Sequence, residues 1–394
     1  MHPIKLCCRF DRIVLTVSFT IGGHRFRLDD TICERDPMVL FKRKASAGED
    51  KVETIEDLAH IEEKYKESTL TVGILLIAGV AFIYFACIFV GTVGLSPGVV
   101  INVWLGNETW GHTYIVEYIR MPRIACAAIV GAGLSVAGMA MQALFKNPLA
   151  SPSILGISNG AAFGAALAMV YGVGFGLGMY NVSIMAFIFC FVTIFLVYML
   201  ATTRHGTPTV LLLLAGVAVG AFFGGCTSAL QYLTESDALR DVVYWMMGSF
   251  SRCGWTEFKI GLITVGIGVA MIALCAKELN LLSLGEQQAK SLGVNVVRVR
   301  YMILIGTAMC VGGCVAISGT IGFVGLIIPH IFRSLCGPNH KYLTPICILG
   351  GAIFLMLIDA VCRVGGEMPI GVITSLIGAP FFVYILRKKK TDFW

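Results

Sequence analysis

An all-α protein that crosses a membrane many times is the fold class this sequence predicts, and three observations carry it. Apolar residues make up 57% of the chain and charged residues only 14%, where ordinary globular domains carry about a quarter charged residues. From Leu70 onward the apolar residues fall into runs of about 20, the length that crosses ~30 Å of hydrocarbon at 1.5 Å per residue. The chain also holds 45 glycines. Each would cost about 1 kcal/mol relative to alanine in a soluble helix, but small residues let membrane helices approach closely.

Taken in order, residues 1–69 read as a cytoplasmic amino-terminal tail, partly disordered. The tail holds Cys7 and Cys8, an apolar run from Ile13 to Ile21 that is too short to cross a bilayer, and then mixed charge. From Glu49 to Glu67, acidic and basic residues alternate while Val52, Ile55, Leu58, Ala59 and Ile61 recur at helical spacing. That pattern predicts an amphipathic surface helix near 49–67. Met38 offers an alternative start. No basic stretch followed by an apolar core and a small-residue cleavage site opens the chain, so no cleaved signal is expected.

Ten spans follow, over residues 70–91, 124–145, 154–172, 181–203, 209–231, 255–276, 301–318, 321–335, 343–362 and 369–386. The eighth is short and glycine-rich, which leaves nine or eleven as neighbouring counts. With the amino terminus inside, Lys146, Arg204, residues 277–300, Arg333, Lys341 and Arg387 to Lys390 lie on the cytoplasmic side. Arg120, Arg123, Arg240, Arg252 and Arg363 lie on the other. The excess of basic residues on the first side predicts both termini in the cytoplasm, and it accounts for the net charge of +6 without nucleic acid. Gly216, Gly220 and Gly224 repeat every four residues on one helix face, as do Gly160 and Gly164. Helix packing explains such faces, with a substrate path as the other reading.

An internal echo is present. Val130, Gly131, Gly138 and Pro148 recur as Val311, Gly312, Gly319 and Pro329, all displaced by 181 residues. A displacement of five spans would set the two halves in opposite orientation, the inverted repeat found in many transporters. The 14 cysteines show no CxxC pair and no Cys/His ligand spacing, so they are expected to act as small apolar residues. Most sit in apolar runs. The chain has no G-x-x-x-x-G-K-[ST], the phosphate cradle of nucleotide hydrolysis. It also lacks H-E-x-x-H, and no G-x-S-x-G has a plausible base.

The polar stretch from Lys277 to Arg300, KELNLLSLGEQQAKSLGVNVVRVR, interrupts the apolar pattern. It begins like a helix, is punctuated by Gly285 and Gly293, and ends basic. A solvated loop would satisfy this composition; so would a structured lever at the membrane surface.

Four long stretches carry a family resemblance: RMPRIACAAIVGAGLSVAGMAMQALFKNPLASPSILGISNGAAFGA from Arg120, LRDVVYWMMGSF from Leu239, LNLLSLGEQQAKSLGVNV from Leu279, and SGTIGFVGLIIPHIFR from Ser318 with MPIGVITSLIGAPFFVYILRK from Met368. Residues 70–390 resemble the permease subunits of ABC importers for iron-siderophore complexes, haem and cobalamin, the FecCD/BtuC-like type II importers. Residues 1–69 lie outside the resemblance. It implies a homodimer of ten-span subunits in a bacterial or archaeal cytoplasmic (inner) membrane, with two cytoplasmic ATPase subunits below and an extracytoplasmic substrate-binding protein above. No cofactor is expected on this chain, since ATP-Mg would sit on the partner ATPase.

The same resemblance gives residues 277–300 the role of the coupling segment that seats in the ATPase, through Leu284, Gly285, Glu286, Lys290, Leu292, Gly293 and Arg298. It gives Arg120, Arg123 and Arg363 the docking of the binding protein, against a reading of these side chains as anchors at the membrane interface. Thr207, Pro208, Thr209 and Val210 fall where the family has a cytoplasmic gate, although any inter-span turn can hold Thr and Pro. Asp359, four residues before Arg363, is expected to be a structural ion-pair partner, and His330 a packing residue. An ion-gradient-driven secondary transporter is the alternative function. Such carriers hold ionisable sites near the midplane, and the span centres here are nearly free of charge.

Overall fold

The computed structural model describes residues 55–390, except 177 and 205, together with four short strands earlier in the chain; side chains are described from Thr69. The chain divides into a large unit, Thr71–Phe381, and a smaller one made of Met1–Leu70 with Phe382–Trp394.

All ten expected spans are present as helices. Seven are long and apolar enough to cross a membrane: Thr69–Phe89, Trp110–Leu144, Asn181–Ala201, Thr209–Leu233, Trp255–Leu274, Val296–Ser318 and His340–Val364. Three shorter apolar helices, Ile157–Tyr171, Val324–Cys336 and Ile370–Val383, complete the set as the third, eighth and tenth spans. The two five-span halves repeat one pattern. In each, the second helix is the most enclosed of the long ones, with 89% and 67% of its apolar window buried, and the third is short. The 181-residue echo is out of step with the helix ends, because Gly138 lies inside the second span while Gly319 terminates the seventh.

Glycine sets the spacing around the second span. A Cβ on Gly131 would lie 2.0 Å from the Gly351 carbonyl oxygen, and one on Gly138 would lie 1.9 Å from that of Gly325. The ninth and eighth spans therefore touch the second backbone to backbone, as close-packed membrane helices do. Gly216 and Gly220 press in the same way on Leu155 and Gly156.

Several features depart from the expected pattern. The second span begins earlier than residue 124, at Trp110, and contains a wide π-helical turn, Ile115–Arg120. Short helices Pro97–Trp104 and Ser236–Met246 fill connections that the hydropathy left open. The stretch expected as a separate surface helix near 49–67 is helical from Ile55 and continues without a break to Phe89; residues 49–54 lie outside the described residues. Before it, in the tail that the sequence leads one to expect partly disordered, lie four antiparallel strands in sequential order, Cys7–Arg9, Arg12–Ile21, His24–Thr31 and Lys42–Arg43. Val17 faces Leu28 and Phe19 faces Phe26 across the central pair. The β-branched run Arg12–Ile21, followed by Gly22-Gly23, has the composition of a hairpin.

Candidate functional site

The polar island lies where the sixth and seventh spans end and begin. Ala276–Leu284 forms a first short helix, and Glu286–Ser291 a second. Gly285 joins them at φ 140° and ψ 148°, a conformation open only to glycine. Gly293 ends the second helix at φ 84°. Asn295 then caps the seventh span, its side-chain oxygen accepting the Arg298 amide at 3.0 Å, as N-cap residues do. Both glycine punctuations are thus turns.

The expected coupling residues divide into two sets. Leu284, Lys290, Leu292, Gly293 and Arg298 are exposed, the two leucines at 54% and 59%. Uncovered leucines among charges suit contact with another protein surface. Beside them a groove of about 630 Å³ is lined by Lys277, Glu278, Leu281, Leu292 and Arg298.

Glu286 turns the other way. Its Oε1 accepts from Arg300 Nη2 at 2.5 Å and from the Thr209 hydroxyl at 3.2 Å. Arg300, on the seventh span, is only 4% exposed. Thr209 opens the fifth span, so one carboxylate joins the island, the seventh span and the expected gate. A cavity of about 270 Å³ next to it is lined by Phe145, Lys146, Leu282 and Val296. In the turn before the fifth span, buried Thr207 donates to the Tyr198 hydroxyl at 3.2 Å, and the Tyr198 ring lies 4.4 Å from that of Tyr301. Pro208 is exposed before the helix, and Val210 is 66% exposed.

At the opposite end of the bundle, Arg120, Arg123 and Arg363 are interior residues, 4%, 6% and 3% exposed. Their guanidinium groups are engaged within the subunit, with little surface left open to solvent. Arg123 Nε donates to Asp359 at 2.9 Å, and its Nη1 pairs with Glu367 at 2.8 Å. Arg363 Nε lies 3.0 Å from the other Asp359 oxygen. Arg363 Nη1 donates to the carbonyls of Cys87 and Val90 at 3.0 and 2.6 Å; Arg120 donates to those of Ile88, at 2.7 Å, and Val93. The reason is helical chemistry. The last carbonyls of a helix have no partner within it and carry partial negative charge, and these two guanidinium groups cap the end of the first span. Asp359, 0% exposed, is the structural partner its spacing predicts. On the same side Glu108 accepts from His112 Nδ1 at 2.8 Å, which holds its carboxyl below the usual range.

His330 packs inside the eighth span, its ring 6.0 Å from that of Phe381. Among the described residues, no group of three or more His, Cys, Asp or Glu side chains is placed to hold a metal ion. Arg300 is the site residue the sequence reading passed over. Its signal was present, as an arginine in the first turns of an apolar helix, Val296–Ser318, that needs a counter-charge if buried.

Among the described residues, seven long apolar helices and three shorter ones, with a folded polar island between the sixth and seventh, match the permease of an ABC importer. The chain belongs to the FecCD transport family, which it matches over residues 76–388. It is 41% identical over 277 residues to the cobalamin import system permease of Halobacterium salinarum, covering 70% of this chain and 74% of the relative. Identity is 36% with the hemin transport system permease of Yersinia pestis, over 76% of this chain and 90% of that one. It is 37% with the molybdate import system permease of Haemophilus influenzae, over 70% and 82%. The fold also matches a solved structure described as a metal-chelate type ABC transporter in an inward-facing conformation, with a TM-score of 0.72, 32% identity, and coverage of 81% of this chain and 99% of that one. The ion-gradient carrier finds no support in these relatives.

Proposed function

We propose that this chain works as a homodimer in a bacterial or archaeal cytoplasmic membrane, with both termini inside. Two ATPase subunits seat on residues 277–300 and bind ATP-Mg, and an extracytoplasmic binding protein delivers the cargo. The cargo is a cobalamin or an iron chelate, either a siderophore complex or haem; the molybdate relative sets the far edge of the range to be tested. The observation that carries this reading is the exposure of Leu284, Lys290, Leu292 and Arg298 on a helical, glycine-turned island, in a chain matched to the family over residues 76–388. Thr207, Pro208, Thr209 and Val210 form the gate at the start of the fifth span.

The binding protein docks on the end opposite the island. Arg120, Arg123 and Arg363 serve it by fixing the ends of the first and ninth spans, while exposed Arg240 and Arg252 supply charge for steering. ATP-driven uptake of cyanocobalamin, haemin, ferrichrome and molybdate into proteoliposomes, with the matching binding protein inside or outside, tests the reading. Uptake of one of the first three is expected. Uptake of molybdate alone would overturn the cargo assignment.

A further inference from the structure

Glu286 does more in this fold than offer a charge to a partner. A guanidinium as buried as that of Arg300 needs a counter-ion. Within hydrogen-bonding reach it has the Glu286 carboxylate, on the second island helix, at 2.5 Å. The same oxygen takes the Thr209 hydroxyl at 3.2 Å. Thr209 begins the fifth span, whose next residue, Val210, is largely uncovered. Three separate segments thus meet at one atom. The turn that holds Glu286 there is fixed by Gly285, whose backbone only glycine adopts, and Lys146 approaches from the end of the second span with its own φ at 48°.

We propose that Glu286, Arg300 and Thr209 form an internal strut that carries movement of the island to the entry of the fifth span, with Arg300 as its positioning residue. The inference rests on the coupling role proposed for residues 277–300. Arg300 is anchored in the long seventh span, so it gives Glu286 a fixed pivot. A push on the Glu286–Ser291 helix is then passed to Thr209 through a shared, charge-assisted contact instead of being lost in a flexible loop. On this account Glu286, whose side chain is 42% exposed, spends one carboxylate oxygen on contacts within the subunit, and contact with the ATPase falls chiefly to the exposed residues around it.

The test is transport stoichiometry in proteoliposomes holding the complete importer. ATP hydrolysis is measured together with uptake of whichever of cyanocobalamin, haemin or ferrichrome the wild type carries. Arg300→Glu is expected to lower uptake per ATP at least tenfold while the ATPase stays bound. The exchange Glu286→Arg with Arg300→Glu is expected to recover a third or more of the coupling, a rescue that contact between Glu286 and the ATPase would not give. Thr209→Val, which changes no charge and keeps the side-chain shape, is expected to lower uptake per ATP severalfold. An assembled exchange variant as uncoupled as the single one, or an unchanged Thr209→Val, overturns the strut. If neither arginine variant assembles, Thr209→Val decides. Failure of any ATPase to bind the wild type defeats the coupling role itself, and the strut with it.

Discussion

Asp359 is a fully buried carboxylate that ties the second span to the ninth. It sits against two arginines from different helices, Arg123 at 2.9 Å and Arg363 at 3.0 Å, with no exposure to solvent. Removing one partner of a buried charge cluster costs about 3–5 kcal/mol, because the remaining charge is stranded. Asp359→Asn is therefore expected to lower the melting temperature in detergent by many degrees. Glu367→Gln alters a pair whose carboxylate is 39% exposed and is expected to cost about 1 kcal/mol or less. Equal losses from the two would contradict the burial argument. Of this cluster, the helical spacing of Asp359 and Arg363 was legible in the sequence. Arg123, 236 residues from Asp359, was not, because no local pattern reports a contact between the second and ninth spans. The same limit hid the capping of the first span, whose carbonyls recruit Arg120 and Arg363 only once three helices have met.

At the scale of elements, the second span is the post around which the others pack, and glycine marks where they touch. Gly138→Ala would drive a methyl to 1.9 Å from the Gly325 carbonyl oxygen, so the eighth span must shift. A loss of about 1–3 kcal/mol is expected, as for other overpacked sites. Gly266→Ala in the sixth span meets nothing within 4 Å and is expected to change stability by no more than about 1 kcal/mol, in the favourable direction. Thermal unfolding of the two variants, side by side, checks the pair. Asn295→Ala should cost about 1 kcal/mol through loss of its cap on the Arg298 amide. Helix count and order were readable because hydropathy has a length scale set by the bilayer. Helix starts were less so. The second span begins at Trp110, ahead of residue 124, because its first turns mix Glu117 and His112 into an apolar context. The strands from Cys7 to Arg43 were missed because the run Ile13 to Ile21 was weighed only as a short membrane segment, although its β-branched residues and the Gly22-Gly23 pair also fit a hairpin.

For the whole molecule, the uncovered apolar face of the fifth span bears on assembly. Val210, Leu214, Val217 and Phe222 are 58–66% exposed, on the helix whose other face holds Gly216 and Gly220. A second copy across this face is expected to bury it. Native mass spectrometry should find two permease chains per complex, and Leu214→Arg should reduce that population strongly. The island was legible as a special segment from its charge and its two glycines. Its division into an exposed set and a carboxylate paired with Arg300 and Thr209 was not, since residues four to fourteen positions apart in a bent segment can face either way.

The central claim is that this permease is driven by ATP through its island. The most direct measurement is cargo uptake by the purified complex in proteoliposomes, with ATP supplied in the absence of any ion gradient, and then with a proton or sodium gradient and no ATP. The account predicts uptake only with ATP and only when the ATPase subunits are bound. Uptake driven by a gradient alone, by the permease without an ATPase, would contradict it.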